Sequence, residues 1–140
     1  SFEGVSRGGY VLSDPEGTPE VVLIGTGSEV ALAVEAAQAL AAEGVSARVV
    51  SMPSIEWFDE QDREYRDSVL PAGVPRVVVE AGIAMPWYRI VHGGGGISPA
   101  AGAIVSLEHF GASAPYQKLY EEFGITADAV AAAARGLLGR

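Results

Sequence analysis

The chain has 140 residues, 49% hydrophobic and 19% charged, with a formal net charge of −9 and no cysteine. This describes a single globular domain with a real core, and excludes a disordered chain, a disulfide framework and a thiolate metal site. The excess of 18 acidic over 9 basic residues disfavours nucleic acid as a partner, since a polyanion binds clustered Lys and Arg, and no apolar run reaches the roughly 18 residues of a membrane span.

Ser1-Phe2-Glu3-Gly4 carries neither an initiator Met nor a signal-peptide pattern, so the chain is expected to be a piece of something longer, while the absence of cysteine fits the expected cytoplasmic location. Gly8-Gly9 leads into a short strand around Tyr10-Val11-Leu12, and Pro15, Gly17 and Pro19 then break the chain. Val21-Val22-Leu23-Ile24 is a short, mostly β-branched apolar run that reads as a buried strand. The turn Gly25-Thr26-Gly27-Ser28 opens an Ala-rich segment in which Val30, Ala33, Val34, Ala37, Leu40 and Ala41 predict one apolar helix face. Thr26 and Glu29 match a capping box, and Gly44 is placed to stop the helix.

A second strand is predicted over 45–52, ended by Pro53, so the strand–helix–strand unit implies a right-handed crossover and parallel strands. Residues 54–65 read as one or two short helical pieces closing near Leu70-Pro71, and 76–80 as a third strand. A short helix is expected at 86–91, a mobile Gly-rich loop at 93–102, and a fourth buried strand at 103–107. Two helices close the chain, one over 115–123 and one over 127–138. Thr126 is the expected N-cap of the second, with Val130, Ala133, Ala134, Leu137 and Leu138 sharing a face. The pattern predicts a single three-layer α/β domain over residues 1–140.

The turn at 25–30 is the first place to look for a function. It lies at the carboxyl end of a strand, where open α/β sheets bind ligands, and at a helix N-terminus, where backbone N–H groups hold anions. Thr26, Gly27, Ser28 and Glu29 are therefore candidate anion-binding residues. Yet Val30 stands where G-x-G-x-x-G needs its third glycine, no Lys completes a P-loop, and Glu29 sets negative charge beside any phosphate. The competing reading is a tight strand-to-helix turn with a capped helix.

His109, in Glu108-His109-Phe110-Gly111, and His92, beside the glycine run, have no second ligand at zinc spacing. Glu80, Glu108 and His109 at neighbouring strand ends have the types that acid–base chemistry uses, against the plainer reading that they bond loops. Ser28 and Ser113 lack a nucleophile elbow. Of the pairs Trp57-Phe58 and Trp87-Tyr88, at least one is expected to anchor an interface. The residues alone thus give an α/β domain with no assigned catalytic, cofactor-binding or metal-binding residue.

Seven stretches, in order, carry a resemblance. They are Arg7-Gly8-Gly9-Tyr10-Val11-Leu12, Gly25-Thr26-Gly27-Ser28-Glu29-Val30, Ala47-Arg48-Val49-Val50-Ser51-Met52-Pro53-Ser54 and Phe58-Asp59-Glu60-Gln61-Asp62 with Tyr65-Arg66-Asp67-Ser68-Val69-Leu70-Pro71. Val79-Glu80-Ala81-Gly82-Ile83-Ala84, Phe110-Gly111-Ala112-Ser113-Ala114-Pro115 and Glu122-Phe123-Gly124-Ile125-Thr126 complete them. Together they resemble the C-terminal domain of transketolase across nearly the whole chain. The resemblance implies a mostly parallel five-stranded sheet flanked by helices, with the strand near Tyr10–Leu12 as the antiparallel member.

It also implies a parent enzyme that moves a two-carbon ketol unit from a ketose phosphate to an aldose phosphate in the pentose phosphate pathway. That enzyme uses thiamine diphosphate with Mg²⁺ or Ca²⁺, bound between two other domains of a homodimer. This fragment is then expected to be structural, inactive alone and without a cofactor of its own. An anion- or nucleotide-binding regulatory module, or the last domain of a related thiamine-diphosphate enzyme, is the alternative. One departure stands out: the family pattern has a shorter connection where Gly93-Gly94-Gly95-Gly96 and the residues up to Gly102 intervene here.

Overall fold

Valine, isoleucine and leucine in unbroken runs suit strands buried on both faces, and these runs form the centre of the sheet. The computed structural model describes residues 2–80, 90, 102–106 and 125–140. Five strands, β1 (Tyr10–Ser13), β2 (Val21–Gly25), β3 (Ala47–Ser51), β4 (Arg76–Glu80) and β5 (Gly102–Ser106), lie in the order β1-β3-β2-β4-β5. All neighbouring pairs are parallel except β1 with β3, whose register slips between Val11 and Ser13. The expected mixed sheet and its antiparallel member are both present.

Because side chains alternate along a strand, the central strands feed two cores. Val21, Leu23, Val49, Val77 and Val79 meet α2 (Val30–Ala42) and the last helix, α5 (Ala127–Leu137). Val22, Ile24, Val50 and Val78 meet Met52, Phe58, Val69, Leu70 and Ile90, supplied partly by α3 (Ile55–Asp59) and α4 (Arg63–Val69). The chain reaches β3 from β2 through α2. It then passes back over β2 to β4 through α3 and α4 on the opposite face, as right-handed crossovers in opposite directions require.

Local chemistry sets the helix ends. Ser54 Oγ accepts from Trp57 N at 3.1 Å, Asp62 Oδ1 from Tyr65 N at 2.8 Å, and Thr126 Oγ1 from Ala129 N at 3.1 Å. Gly44, in left-handed backbone at φ 82°, ends α2: its N–H donates to Ala41 at 3.0 Å, and Val45 N–H donates to Leu40 at 2.9 Å. This is a Schellman closure, with Val45 and Leu40 packed in the same core.

Four expectations are revised. The buried stripe of α2 is Ala33, Ala36 and Leu40, while Ala41 is exposed. Alanine occurs on every side of this helix, so its spacing leaves the stripe under-determined. A short helix, α1 (Phe2–Ser6), precedes the glycine pair and was not foreseen. On α5, Ala131 is buried along with Val130 and Ala134, while Ala133, Leu137 and Leu138 are only partly buried. Strand β5 begins at Gly102, one residue before the predicted start. The helices expected at 86–91 and 115–123 and the loop at 93–102 lie outside the described residues, except for Ile90 and Gly102.

Two arginines sit beside the buried valine runs of β3 and β4. In the parallel ladders Val22 pairs with Arg48 on one side and Arg76 on the other, so both side chains leave the sheet on Val22's face. Arg48 grips Asp14 at 2.9 and 3.1 Å and donates to the Ser68 and Val69 carbonyls. Arg76, 7% exposed, donates to the Ile90 carbonyl at 2.6 Å and the Leu70 carbonyl at 3.1 Å.

Candidate functional site at the carboxyl end of the sheet

In this strand order the chain leaves β2 for β3 and then jumps to β4, so the topological switch lies between β2 and β4. Open α/β sheets place ligand crevices outside the carboxyl ends of such strands. The residues there are the turn after Gly25 and the end of β4 at Glu80, with Gly25 paired to Val79.

The two glycines of the turn serve different ends. A Cβ on Gly25 would lie 2.9 Å from Val30 Cα and 3.0 Å from Val30 N, so its absence lets the start of α2 approach the strand. Gly27 has φ 58°, the left-handed region that L side chains avoid. Residues Gly27–Glu29 form one 3-10 turn, closed by Glu29 N–H donating to the Thr26 carbonyl at 3.1 Å, and α2 begins only at Val30. The extra turn overturns the expected capping box. The Thr26 side chain makes no capping hydrogen bond, and Glu29 is the residue preceding α2 rather than part of its first turn.

Thr26, Gly27, Ser28 and Glu29 are thus brought together, but around a carboxylate. Glu29 is 6% exposed, and Ser28 Oγ donates to its Oε2 at 3.4 Å. The same Oε2 lies 3.7 Å from where a Cβ on Gly27 would be. A buried negative charge against the turn opposes an incoming anion.

Of the acid–base candidates, Glu80 closes β4 opposite Ser106 of β5. Glu108, His109, His92 and Ser113 lie outside the described residues, as does the Trp87-Tyr88 pair. The other aromatic pair divides: Phe58 is 2% exposed and belongs to the core, whereas Trp57 is 53% exposed. Among the described residues no group of three or more His, Asp or Glu side chains is placed to hold a metal ion. With Glu29 against the one candidate anion turn, these residues do not fit a diphosphate–metal cofactor.

A groove that no motif signalled lies between α1 and β1. Arg7 pairs with Glu3 at 3.0 Å and stacks over the Tyr65 ring at 4.5 Å, while Tyr65 OH donates to the Gly9 carbonyl at 2.6 Å. Burial pushes the Tyr65 phenol above its ordinary value. The titratable carboxyl and phenol groups of the groove are those of Glu3, which is paired with Arg7, and of Tyr10 and Tyr65, and Tyr65 is too far from the others in sequence for spacing to reveal it.

The family described as "Transketolase-like TK C-terminal domain" matches residues 8–126. The chain belongs to this family. It is 57% identical to transketolase 1 of Escherichia coli (strain K12), over 96% of this chain and 19% of that protein. It is 50% identical to a chloroplastic transketolase of Craterostigma plantagineum, over 99% of this chain and 26% of that one. Among solved structures, transketolase from Leishmania mexicana superposes with a TM-score of 0.88 at 45% identity, over the whole of this chain and 19% of its own. The chain therefore spans about a fifth to a quarter of the length of these relatives. As a transketolase C-terminal domain, it keeps the family's five-stranded mixed sheet with one antiparallel pair.

Proposed function

We propose that this chain is the C-terminal domain of a thiamine-diphosphate-dependent transketolase, a transferase of two-carbon ketol units between sugar phosphates in the pentose phosphate pathway. The carrying observation is a match over nearly the whole chain to about a fifth of each of several transketolases. In this reading thiamine diphosphate and its Mg²⁺ or Ca²⁺ bind to other domains of the parent, and this domain packs against them and supports a cytoplasmic homodimer. Residues 1–140 act as one unit and have no activity alone. Among the described residues no helix is long and apolar enough to cross a membrane.

The test is a ketol-transfer assay with thiamine diphosphate and Mg²⁺. The intact parent should turn over and the 140-residue chain should not; turnover by the chain alone would refute the assignment of chemistry to other domains. The turn at Thr26, Gly27, Ser28 and Glu29 acts here as the first crossover turn, because the Glu29 carboxylate already lies against it. Titrating phosphate, sulfate and nucleotides while following the amide shifts of these four residues separates this from a regulatory anion site. A saturable shift at millimolar ligand would establish the anion site instead.

A further inference from the structure

We infer that residues 2–14 form a strap that opens as one unit, and that peroxide oxidation of the Met52 thioether beneath it holds the strap open. The strap consists of α1 and β1 and is held along one side only. β1 bonds to the sheet through β3 alone, over three residue pairs interrupted by the register slip. α1 packs chiefly on β1, and beyond Asp14 the chain runs to β2 without regular structure.

A few polar contacts fasten it. Tyr65 OH donates to the Gly9 carbonyl at 2.6 Å, Ser54 N–H donates to the Gly8 carbonyl at 3.0 Å, and Arg48 forks onto Asp14 at 2.9 and 3.1 Å. Outward, Leu12 is 46% exposed. Strands β2, β3 and β4 instead lie between two buried cores. A segment with one edge partner and few buried contacts opens at lower free energy than such a centre. The Tyr65 hydroxyl is the latch to probe, because Tyr65→Phe removes one hydrogen bond and keeps the ring that meets Phe58 edge-on and lies under Arg7.

Under the strap lies a sulfur. Met52 follows β3, is 1% exposed and packs in one core with Phe58 and Val11. A Cβ on Gly9 would stand 2.5 Å from Met52 Sδ and 2.9 Å from its Cε, so the strap backbone itself covers the thioether. The chain has no cysteine and one other methionine, Met85, which lies outside the described residues. A peroxide oxidises a thioether to the sulfoxide. The sulfur lone pair attacks one peroxide oxygen, the O–O bond breaks, and hydrogen peroxide is reduced to water as the S=O bond forms. The backbone of Gly9 leaves no room for an added oxygen on that side, and the surrounding core is apolar. Burying the polar S=O there is costly, so the oxidised side chain favours the open strap.

The test is oxidation of Met52 by hydrogen peroxide in the intact protein, followed by peptide mass spectrometry, with hydrogen exchange measured on the same samples. Native Met52 should react at least about tenfold more slowly than in urea, and Tyr65→Phe should speed it about fivefold. Thr126→Ala, which weakens α5 on the other face of the sheet, should leave the rate within about twofold. Once Met52 is oxidised, the β1 amides should exchange at least about tenfold faster while those of β2 and β4 keep their rate. Weaker protection of native Met52 would overturn the proposal, because the strap would then shield nothing. Tyr65→Phe acting no more strongly than Thr126→Ala would overturn it as well, since the sulfur would then be reached without release of the latch. So would β1 exchange that is unchanged by oxidation, or that rises together with β2 and β4.

Discussion

Arg48 and Arg76 flank Val22 at one level of the sheet, and both donate to the carbonyls that end α4. Arg48 reaches Ser68 and Val69 at 2.8 and 3.0 Å, and Arg76 reaches Leu70 at 3.1 Å. The last carbonyls of a helix have no partner within it and carry its partial negative charge. Two guanidinium groups from neighbouring strands supply both the donors and the opposite charge, and so lock a seven-residue helix onto the sheet. Arg76 achieves this at a cost, since burial pulls its pKa below the ordinary arginine value and its Nε is buried without a partner.

Arg76→Ala strands the Leu70 and Ile90 carbonyls and is expected to destabilise the fold by about 3 kcal/mol. Arg76→Lys should recover little of that loss, because one ammonium does not reproduce a fork that spans two carbonyls. Urea unfolding of the two variants checks this. A lysine variant as stable as the native chain would show that charge alone matters there.

The glycines of the crossover turn are expected to differ in sensitivity. Gly25→Ala drives a methyl to within 2.9 Å of the Val30 backbone, so α2 must shift off β2 at a cost of about 2 kcal/mol. Gly27→Ala meets nothing nearer than Glu29 Oε2 at 3.7 Å and suffers chiefly the left-handed backbone penalty, about 1 kcal/mol. Thermal melting of both variants should rank them in that order.

Thr126 is the N-cap of α5, the helix that joins α2 over one sheet face. Thr126→Ala should lower stability by about 1 kcal/mol, and Thr126→Ser should leave it nearly unchanged. Equal losses in both variants would mean that the methyl, rather than the hydroxyl, holds the helix start.

Arg135 on α5 forks onto Glu43 at the end of α2, with contacts of 2.9 and 2.6 Å. That hydrogen bond, and secondarily the charge of Arg135, holds the Glu43 carboxyl below its ordinary 4.5, as the Ser46 amide chiefly does for Glu20. A carboxylate whose folded pKa is depressed contributes stability above its unfolded pKa and loses it as pH falls through the folded value. Glu43→Gln should therefore lower the melting temperature at neutral pH and converge on the native chain in acid, below the ordinary 4.5. Melting curves across that range test the convergence; a constant gap would exclude the ion pair as its source.

Much of this fold is written in its residues. Val21–Ile24 and Val77–Val79 are mostly β-branched runs too short and too apolar to be surface helices, and they form the sheet centre. Thr126 and Gly44 marked helix ends because their chemistry is local. The spacing on α2 points to Ala41 rather than Ala36 because alanine gives little contrast between faces. The Thr26–Glu29 spacing matches a capping box that does not form, because a 3-10 turn delays the helix, a choice that depends on how closely Val30 packs on Gly25. Arg48 and Arg76 gave no signal at all. Their role exists only once β3 and β4 have flanked β2, and pairing across 20 or more residues is not a local property.

The register slip between Val11 and Ser13 has a consequence for the chain in concentrated solution. A straight, unpaired edge strand is a template on which other chains add strands and begin fibrils. β1 is only four residues long, and the slip breaks its ladder spacing halfway along. An incoming strand would find at most a couple of aligned bonds before the register fails. The edge of the sheet nearest the exposed Leu12 is thereby protected against amyloid-type growth without a charge or a proline on that strand.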